Sequence, residues 1–371
     1  MKRQECTICV MDTSDPLITF NDTGVCSHCL EAKIRLDDYS FTKEQEIENL
    51  DILKEKIKSQ QKSEYDSIIG LSGGVDSSYV AYIAMELGLN PLCVHFDNGW
   101  NSDIAVRNIR NIIQVTGFDF YTYVIDWPEF RDLQRSFFKA GVVDIEMLTD
   151  HAIFASLFKL RKDHKITTVL SGTNYATEHG LPIAWTWSKM DLRNIKSIQN
   201  KHGEMKLKSY PTMSTFFWLL MQRFNLGGVF EEPLNKINFK KTEAMEKLKD
   251  VFDWEYYGGK HYESVFTKFY QAHVLPTKFG VDKRRVHFSG LLRNGEMTKE
   301  EALSQLDQPL YKEEELIRDK EFVLKKLGFT NSEFDLIMQQ DPVPHDRYKT
   351  DQSALGPIIK IGKAIFGGRS T

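Results

Sequence analysis

The sequence predicts an α/β protein: a doubly wound parallel sheet, preceded by a small cysteine-held ribbon and followed by a mainly helical C-terminal region. Three observations carry this. Between residues 64 and 190, short apolar runs alternate with helix-length amphipathic segments, the pattern of parallel strands joined by helices. One such run, Ile68-Ile69-Gly70, feeds directly into Leu71-Ser72-Gly73-Gly74-Val75-Asp76-Ser77-Ser78 and then a helix. Four of the five cysteines stand in two Cys-x-x-Cys pairs before residue 30. The expected division is a ribbon over 1–35, a helical connector over 36–63, the sheet domain over 64–190 and a helical substrate or partner region over 191–371.

Composition narrows the class. A chain of 371 residues can bury more than one core. Hydrophobic residues at 41% and charged residues at 27% suit a soluble protein. A net charge of −4 gives no basis for broad nucleic-acid binding. No run reaches the ~18 apolar residues of a membrane span, and the polar N-terminus is unlike a signal peptide. Paired cysteines without a disulfide framework favour a reducing compartment, so the expected location is cytoplasmic.

Taken in order, Cys6-x-x-Cys9 and Cys26-x-x-Cys29 are separated by sixteen residues. Each pair can aim two thiolates at one ion, and four thiolates make a closed tetrahedral site suited to structural Zn²⁺. An iron–sulfur cluster or a dithiol redox pair is the alternative use of the same spacing. His28, inside the second pair, reads as a bystander. Glu31 to Asp37 and Thr42 to Ser59 read as solvated helices. Gly73 and Gly74 lack a Cβ, so backbone N–H groups there can approach an anion closely. The helix that follows, read over Ser78–Leu87, adds its positive end. Pro91 to Phe96, Phe118 to Ile125 and Ile166 to Leu170 are the further strands. Asn101 or Ser102 caps the helix bearing Ile104, Ile109, Ile112 and Ile113, and Ile145 to His164 is a longer helix.

In such sheets ligands sit at the carboxyl ends of the strands. Those ends carry Ser72 to Asp76, Asp97-Asn98-Gly99, Asp126 and Ser171 to Asn174. Asp97 and Thr173 are therefore candidate nucleotide contacts, or plain polar loop residues. Glu178 can contact Mg²⁺ or substrate, or simply sit at a helix start. Trp185 and Trp187 suggest an apolar wall. Cys93, within an apolar strand, reads as buried and inert. Beyond residue 190 the pattern is helical, including the apolar Thr212–Phe224. Lys278, Lys283, Arg284 and Arg285 cluster around a Pro and a Gly; they can clamp a diphosphate, or merely open a solvated helix. Thr298-Lys299-Glu300-Glu301 is a capping box. The basic amphipathic stretch Ala354–Phe366 can touch a membrane surface, its own domain or a partner.

Ser-Gly-Gly-Val-Asp-Ser-Ser resembles the pyrophosphate loop of the N-type ATP pyrophosphatases, the PP-loop superfamily; it lacks the Gly-Lys-Ser/Thr ending of a Walker loop. The resemblance implies ATP cleavage between the α- and β-phosphates, with AMP transferred to substrate and Asp76 helping to hold Mg²⁺. The cysteine pairs, this loop, Gly172-Thr-Asn-Tyr-Ala-Thr-Glu178, and Ser264 through Lys278-Phe-Gly-Val-Asp-Lys-Arg-Arg285 occur in one order. That order is similar to the N-acetyl sugar amidotransferases of lipopolysaccharide O-antigen and related surface-glycan biosynthesis. These turn an acetamido group into an acetamidino group with ATP and ammonia. The resemblance implies catalytic roles for Asp76, Glu178, Lys283 and Arg284. It implies nucleotide contacts from Leu71, Ser72, Gly73, Gly74, Asp76, Ser77, Ser78, Asp97, Gly172 and Thr173, with ATP, Mg²⁺ and Zn²⁺ as cofactors. It also implies a nucleotide-linked sugar substrate, a glutaminase partner and a barrel partner resembling the two halves of imidazole glycerol phosphate synthase. A homo-oligomer is left open. The rival reading is a PP-loop enzyme of the tRNA-thiolating type, which would want a reactive cysteine pair and a basic surface.

Overall fold

A computed structural model describes residues 3–223, 228–260 and 262–351. The amphipathic stretch 354–366 and the end of the expected 212–224 helix lie outside the described residues. The ribbon is held by single antiparallel bridges, Glu5 to Asp12 and Phe20 to Cys26, and leads into α1 (Ser27–Leu36) and α2 (Lys43–Ser59). Thr42 and Gln45 form a reciprocal capping box at the start of α2.

The sheet domain follows as β1 (Ser67–Gly70), α3 (Val75–Glu86), β2 (Pro91–Asp97), α4 (Asp103–Thr116), β3 (Phe120–Val124), α5 (Trp127–Ala140), α6 (Met147–Asp163) and β4 (Thr168–Leu170). Ser102 caps α4 and Asp126 caps α5. After α7 (Tyr175–Glu178), α8 (Leu192–His202) and α9 (Thr215–Arg223) comes a fifth strand, β5 (Val229–Glu231). All five are parallel, in the order β3-β2-β1-β4-β5. Successive strands go outward from β1 to one side, then the chain returns to its other side. The carboxyl ends of β1 and β4 therefore flank a crevice, the usual ligand position in an open α/β sheet.

β1 shows why the sheet is buried on both faces. Ile68 packs with Leu92, Val94, Leu160 and Val169, while its neighbour Ile69 packs with Val75, Val80, Ile112 and Leu248 on the opposite face. Successive side chains of a strand point to opposite faces, so a two-sided core needs consecutive apolar residues. Each such isoleucine contributes roughly 1.5–3 kcal/mol on burial.

Two expectations change here. The helix after the loop begins at Val75 rather than Ser78, because Gly74 takes an extended cap conformation and Asp76 sits favourably in the first turn. The sheet does not end at residue 190: β5 arises from the segment read as all helical. A three-residue strand is too short to show a period of its own, and it is placed by its pairing with β4.

The remaining elements are α10 (Lys241–Phe252), α11 (Val265–Phe269), a π-helical segment Tyr270–Phe279, α12 (Arg284–Arg293), α13 (Lys299–Leu306), α14 (Glu313–Leu327) and α15 (Asn331–Gln339). α10 packs on α3, α12 on α7, and α14 on α5 and α11. The largest core joins the ribbon cysteines and Met11 to α5, α11 and α14–α15. Phe138 is its hub: edge-on to Phe266, Tyr270, Phe329 and Phe334, with centroids 5.9–6.2 Å away. Trp185 and Trp187 belong to this core too. Trp185 Nε1 donates to the Ser14 carbonyl (3.3 Å), and Trp187 stacks on His345 at 4.9 Å. No described helix is long and apolar enough to cross a membrane.

Because Phe138 touches four rings of the C-terminal region, Phe138→Ala is expected to cost about 3–5 kcal/mol in chemical denaturation; a cost below about 1 kcal/mol would mean that the C-terminal helices contribute little to this core.

Candidate active site

The loop after β1 is fixed from outside. Gly73 has φ +81°, and a Cβ on it would lie 2.5 Å from the Ala105 carbonyl oxygen. Its own carbonyl accepts from Trp254 Nε1 (3.0 Å) and Asn108 Nδ2 (3.3 Å). That orientation sends the carbonyl away from the crevice. Gly74 opens α3 with no side-chain cap, so first-turn N–H groups face the crevice as a cradle for anionic oxygens. Ser77 Oγ accepts from Ser72 N–H (3.2 Å) and lies 3.1 Å from Ser72 Oγ. Leu71 is buried and holds the loop to β2 through its N–H to the Val94 carbonyl (2.8 Å). Ser78 is placed elsewhere: it is fully buried on the inner side of α3.

Gly172, at the end of β4, lets the next loop press onto α3. A Cβ there would come within 3.1 Å of Ser77 N and 3.2 Å of the Asp76 carbonyl carbon. Asn174 Nδ2 then donates to Asp76 Oδ1 (3.3 Å). α7 delivers Glu178, whose carboxylate pairs with Lys260 Nζ at 3.1 Å. Burial pushes the Lys260 ammonium toward deprotonation, but Glu178, Asp76 and Glu263 together pull its pKa above the ordinary value. Burial lowers Lys241, against the pull of Asp76 and Glu263 and with the repulsion of Lys260. Tyr257 donates no charge but accepts from Val75 N–H (3.3 Å), and burial followed by Glu263 and Asp76 raises its phenol well above ten. Two lysines thus face the carboxylates beside the loop. Lys241, Lys260 and Glu263 were not singled out in the sequence; the missing Gly-Lys-Ser/Thr ending was the signal that cations must come from elsewhere in the chain.

A cavity of about 370 Å³ runs from Gly70, Leu71 and Ser72 past Phe96, Asn98 and Asn101 to Glu146, Asp150, Lys189, Gln271 and Lys283. Asp97 itself is used in its own turn, accepting from Gly99 N–H (2.8 Å) and Asn101 Nδ2 (3.1 Å). Thr173 instead lines a second cavity of about 330 Å³ with His28, Arg35, Tyr39 and Glu178, against the ribbon.

The late basic block divides four ways. Lys283 lines the main cavity and pairs with Glu146 at 2.6 Å. Arg284 turns away: it pairs with Asp282 (2.8 Å) and donates to the carbonyls of Gln305, Leu306 and Gln308 at the end of α13. Arg285 reaches the ribbon, donating to the Val10 carbonyl (2.6 Å) and pairing with Asp12 (3.1 Å). Lys278 closes α15 through the Ile337 and Gln340 carbonyls. The diphosphate clamp expected of this block is therefore not assembled. Consecutive residues entering a helix project about 100° apart, so neighbours cannot share one target. The block joins helices and ribbon at separate points, with only Lys283 of the four at the cavity.

Among the described residues, Cys6, Cys9, Cys26 and Cys29 form the one cluster with metal-site geometry, all four sulfurs lying within 4.8 Å. Cys6–Cys29 and Cys9–Cys26 are 3.9 and 3.7 Å apart. A tetrahedron with ~2.3 Å metal–sulfur bonds has edges of ~3.8 Å, so the donor set fits Zn²⁺. N–H groups of Ile8, Cys9 and Cys26 point at Cys6 Sγ, and hydrogen bonds from Cys26 and then Cys29 hold the Cys9 thiol far below its ordinary pKa. His28 is the bystander expected, paired with Asp15 at 2.8 Å.

Comparison with known proteins gives two matches in the same chain. Residues 46–178 match the NAD synthase family. Residues 263–365 match the family described as LPS biosynthesis protein WbpG-like, C-terminal domain. The chain is a PP-loop protein with a WbpG-like C-terminal domain. The NAD synthase-like match supports an ATP-using PP-loop region, and the second match is to a family described by lipopolysaccharide biosynthesis. A search of curated proteins finds no match. Among solved structures, NMN synthetase from Francisella tularensis is 15% identical, over 78% of this chain and 98% of that one, with a TM-score of 0.39. The NH3-dependent NAD synthetase from Campylobacter jejuni is 15% identical, over 57% and 93%, at 0.30. A 4-thiouridine synthetase in complex with RNA and ATP is 20% identical, over 51% and 41%, at 0.30.

Gly73→Ala is expected to weaken ATP binding at least about tenfold by titration calorimetry, since it strains the loop and strikes the Ala105 backbone; unchanged affinity would mean that the loop does not hold the nucleotide. Chelation, or Cys9→Ser, is expected to lower the melting midpoint by more than about 5 °C with loss of one zinc per chain by elemental analysis.

Proposed function

We propose that the chain is an ATP-dependent amidotransferase that converts an acetamido group on a nucleotide-linked sugar into an acetamidino group, releasing AMP and pyrophosphate. One observation carries this reading: Gln271 and Lys283 of the WbpG-like domain line the same cavity as Ser72 of the ATP loop. The WbpG-like region thereby contributes to the walls of a cavity that reaches the loop, which supports a substrate held beside the nucleotide.

The chemistry follows from the functional group. An amide carbonyl is a poor electrophile. Attack of its oxygen on the α-phosphorus forms the O–P bond, breaks the α–β bridge and releases pyrophosphate. The nitrogen loses its proton, leaving an O-adenylyl imidate. Ammonia then adds to the imidate carbon, AMP departs with the C–O electron pair, and an amidine remains. The N–H groups of Gly73, Asp76 and Ser77 orient the phosphates, and Lys241 and Lys260 neutralise charge building on the departing pyrophosphate. Asp76 and Glu178 would hold Mg²⁺, which supplies charge neutralisation to the phosphate oxygens. Lys283 orients the acceptor.

Ammonia is proposed to arrive from a glutaminase subunit through a barrel subunit, both similar to the halves of imidazole glycerol phosphate synthase. The five cysteines support an outside source. Four are gathered in the metal cluster, and burial pushes the Cys93 thiol up to about 12, which leaves it protonated.

The purified chain, given ATP, Mg²⁺, ammonium and a panel of nucleotide-linked diacetamido sugars, is expected to release AMP and pyrophosphate only with a sugar, and to yield a product in which one oxygen is replaced by NH. AMP release stimulated by tRNA and by no sugar would overturn the reading. Lys283→Ala is expected to lower kcat/KM for the sugar about 100-fold while changing nucleotide affinity less than about threefold.

A further inference from the structure

We propose that the carboxylate of Asp150 takes the proton from the attacking ammonia in the cavity beside the ATP loop. The assignment rests on the amidotransferase reading and adds the residue that the second half of that reaction needs.

Glu146 and Asp150 line the cavity with Lys189 and Lys283, Asp144 pairs with the same Lys189 from a buried position, and the hydrogen bonds of the three carboxylates differ. Asp144 is almost fully buried. It accepts from Met147 N–H (3.1 Å), Thr186 Oγ1 (2.9 Å), Trp187 N–H (2.7 Å) and Lys189 Nζ (2.7 Å), which fills its acceptor sites. Glu146 accepts from Gln271 Nε2 at 2.8 and 3.2 Å and pairs with Lys283 at 2.6 Å. Asp150, in the first turn of α6, has Lys189 at 3.2 Å and keeps 42% of its side-chain surface open. It lines the same cavity as Ser72, with Thr149 beside it. Asp150 has a single ion-pair contact, whereas Asp144 and Glu146 each take several donors, so Asp150 keeps the most acceptor capacity of the three.

Charge favours the same residue. Lys189 serves both Asp144 and Asp150, and Lys283 serves Glu146, so one negative charge is left over at this end. Although its side chain is partly open, Asp150 stands within the cavity, and the desolvation there raises its carboxyl above the ordinary range, with Asp144 and Glu146 adding to the effect against Lys189. A carboxylate so placed is a stronger base than one in water.

The step balances as follows. The ammonia lone pair forms the C–N bond to the imidate carbon while the C=N pair moves onto the imidate nitrogen, which takes a proton from water, giving a tetrahedral centre whose new nitrogen is cationic. Asp150 accepts one proton from that nitrogen. The C–O bond to AMP then breaks, its electron pair leaving with AMP, and the new amidine nitrogen supplies the C=N electrons. Without the proton transfer, ammonia is the better leaving group and is expelled.

The test is Asp150→Asn in the full chain, with ATP, Mg²⁺, ammonium and a nucleotide-linked diacetamido sugar in water enriched in heavy oxygen. Sugar-dependent AMP release should persist within about threefold of wild type, showing that the fold and the adenylylation step survive. Amidine formed per AMP should fall about 100-fold, the usual scale for loss of a general base. The unconverted acetamido sugar should carry one heavy oxygen from water attack on the imidate, and Asp150→Glu should restore part of the coupling. Amidine per AMP unchanged in Asp150→Asn overturns the assignment while leaving the amidotransferase reading intact. Loss of AMP release together with amidine also overturns it, by placing the residue in the first step. Wild-type protein that releases no AMP with any such sugar overturns the reading itself, and the assignment with it.

Discussion

The carbonyl of Gly73, held at once by Trp254 and Asn108, is the constraint on which the nucleotide site depends. A peptide group is planar, so fixing a carbonyl on one side aims the following N–H at the other. Here the fixing groups come from the strap after α10 and from the middle of α4. The loop is therefore shaped by elements that never face the cavity. The left-handed backbone of Gly73 and the close approach of Ala105 leave the loop no alternative conformation with a side chain at that position.

Around this loop the cationic side chains are distributed with little redundancy. Lys260 and Lys241 face the loop carboxylates, Lys189 and Lys283 face the far end of the cavity, and the arginines next to Lys283 are occupied in joining helices and ribbon. Buried ion pairs of this kind add little net stability, because desolvation offsets much of the attraction. Their value is positional: they keep long side chains in single orientations before any ligand arrives. The π-helical segment acts in the same way. It carries Gln271 to Glu146 and tolerates Pro276, which cannot donate to an ordinary helical ladder.

Much of this was legible in the sequence, and the boundary has physical causes. The loop, the metal cluster, the strand ends and the main helix caps follow from local rules: glycine permissiveness, thiolate spacing, capping chemistry. Asp76 and Glu178 could be placed near the loop because each follows a strand of the same sheet by a few residues. Lys241, Lys260, Glu263, Lys189 and Asp150 could not, since each reaches the crevice through packing between elements distant in the chain. The late basic block misled for a related reason. Charge density along a sequence does not tell direction, and a helix start sends Lys283, Arg284 and Arg285 to three different targets. β5 escaped notice because three residues carry too little pattern to distinguish a strand from a turn.

The joint between the ribbon and α12–α13 bears on how the chain is made. Val10 N–H donates to Ser289 Oγ across 279 residues of sequence, and Lys299 Nζ donates to the Cys6 carbonyl across 293. During synthesis the N-terminal segment emerges long before its permanent neighbours exist. A cysteine knuckle can close locally around an ion in that interval, whereas an apolar miniature of thirty-odd residues could not hold itself together. A metal ion held by the four cysteines would clasp residues 6–29 on their own until α12 and α13 dock beside them.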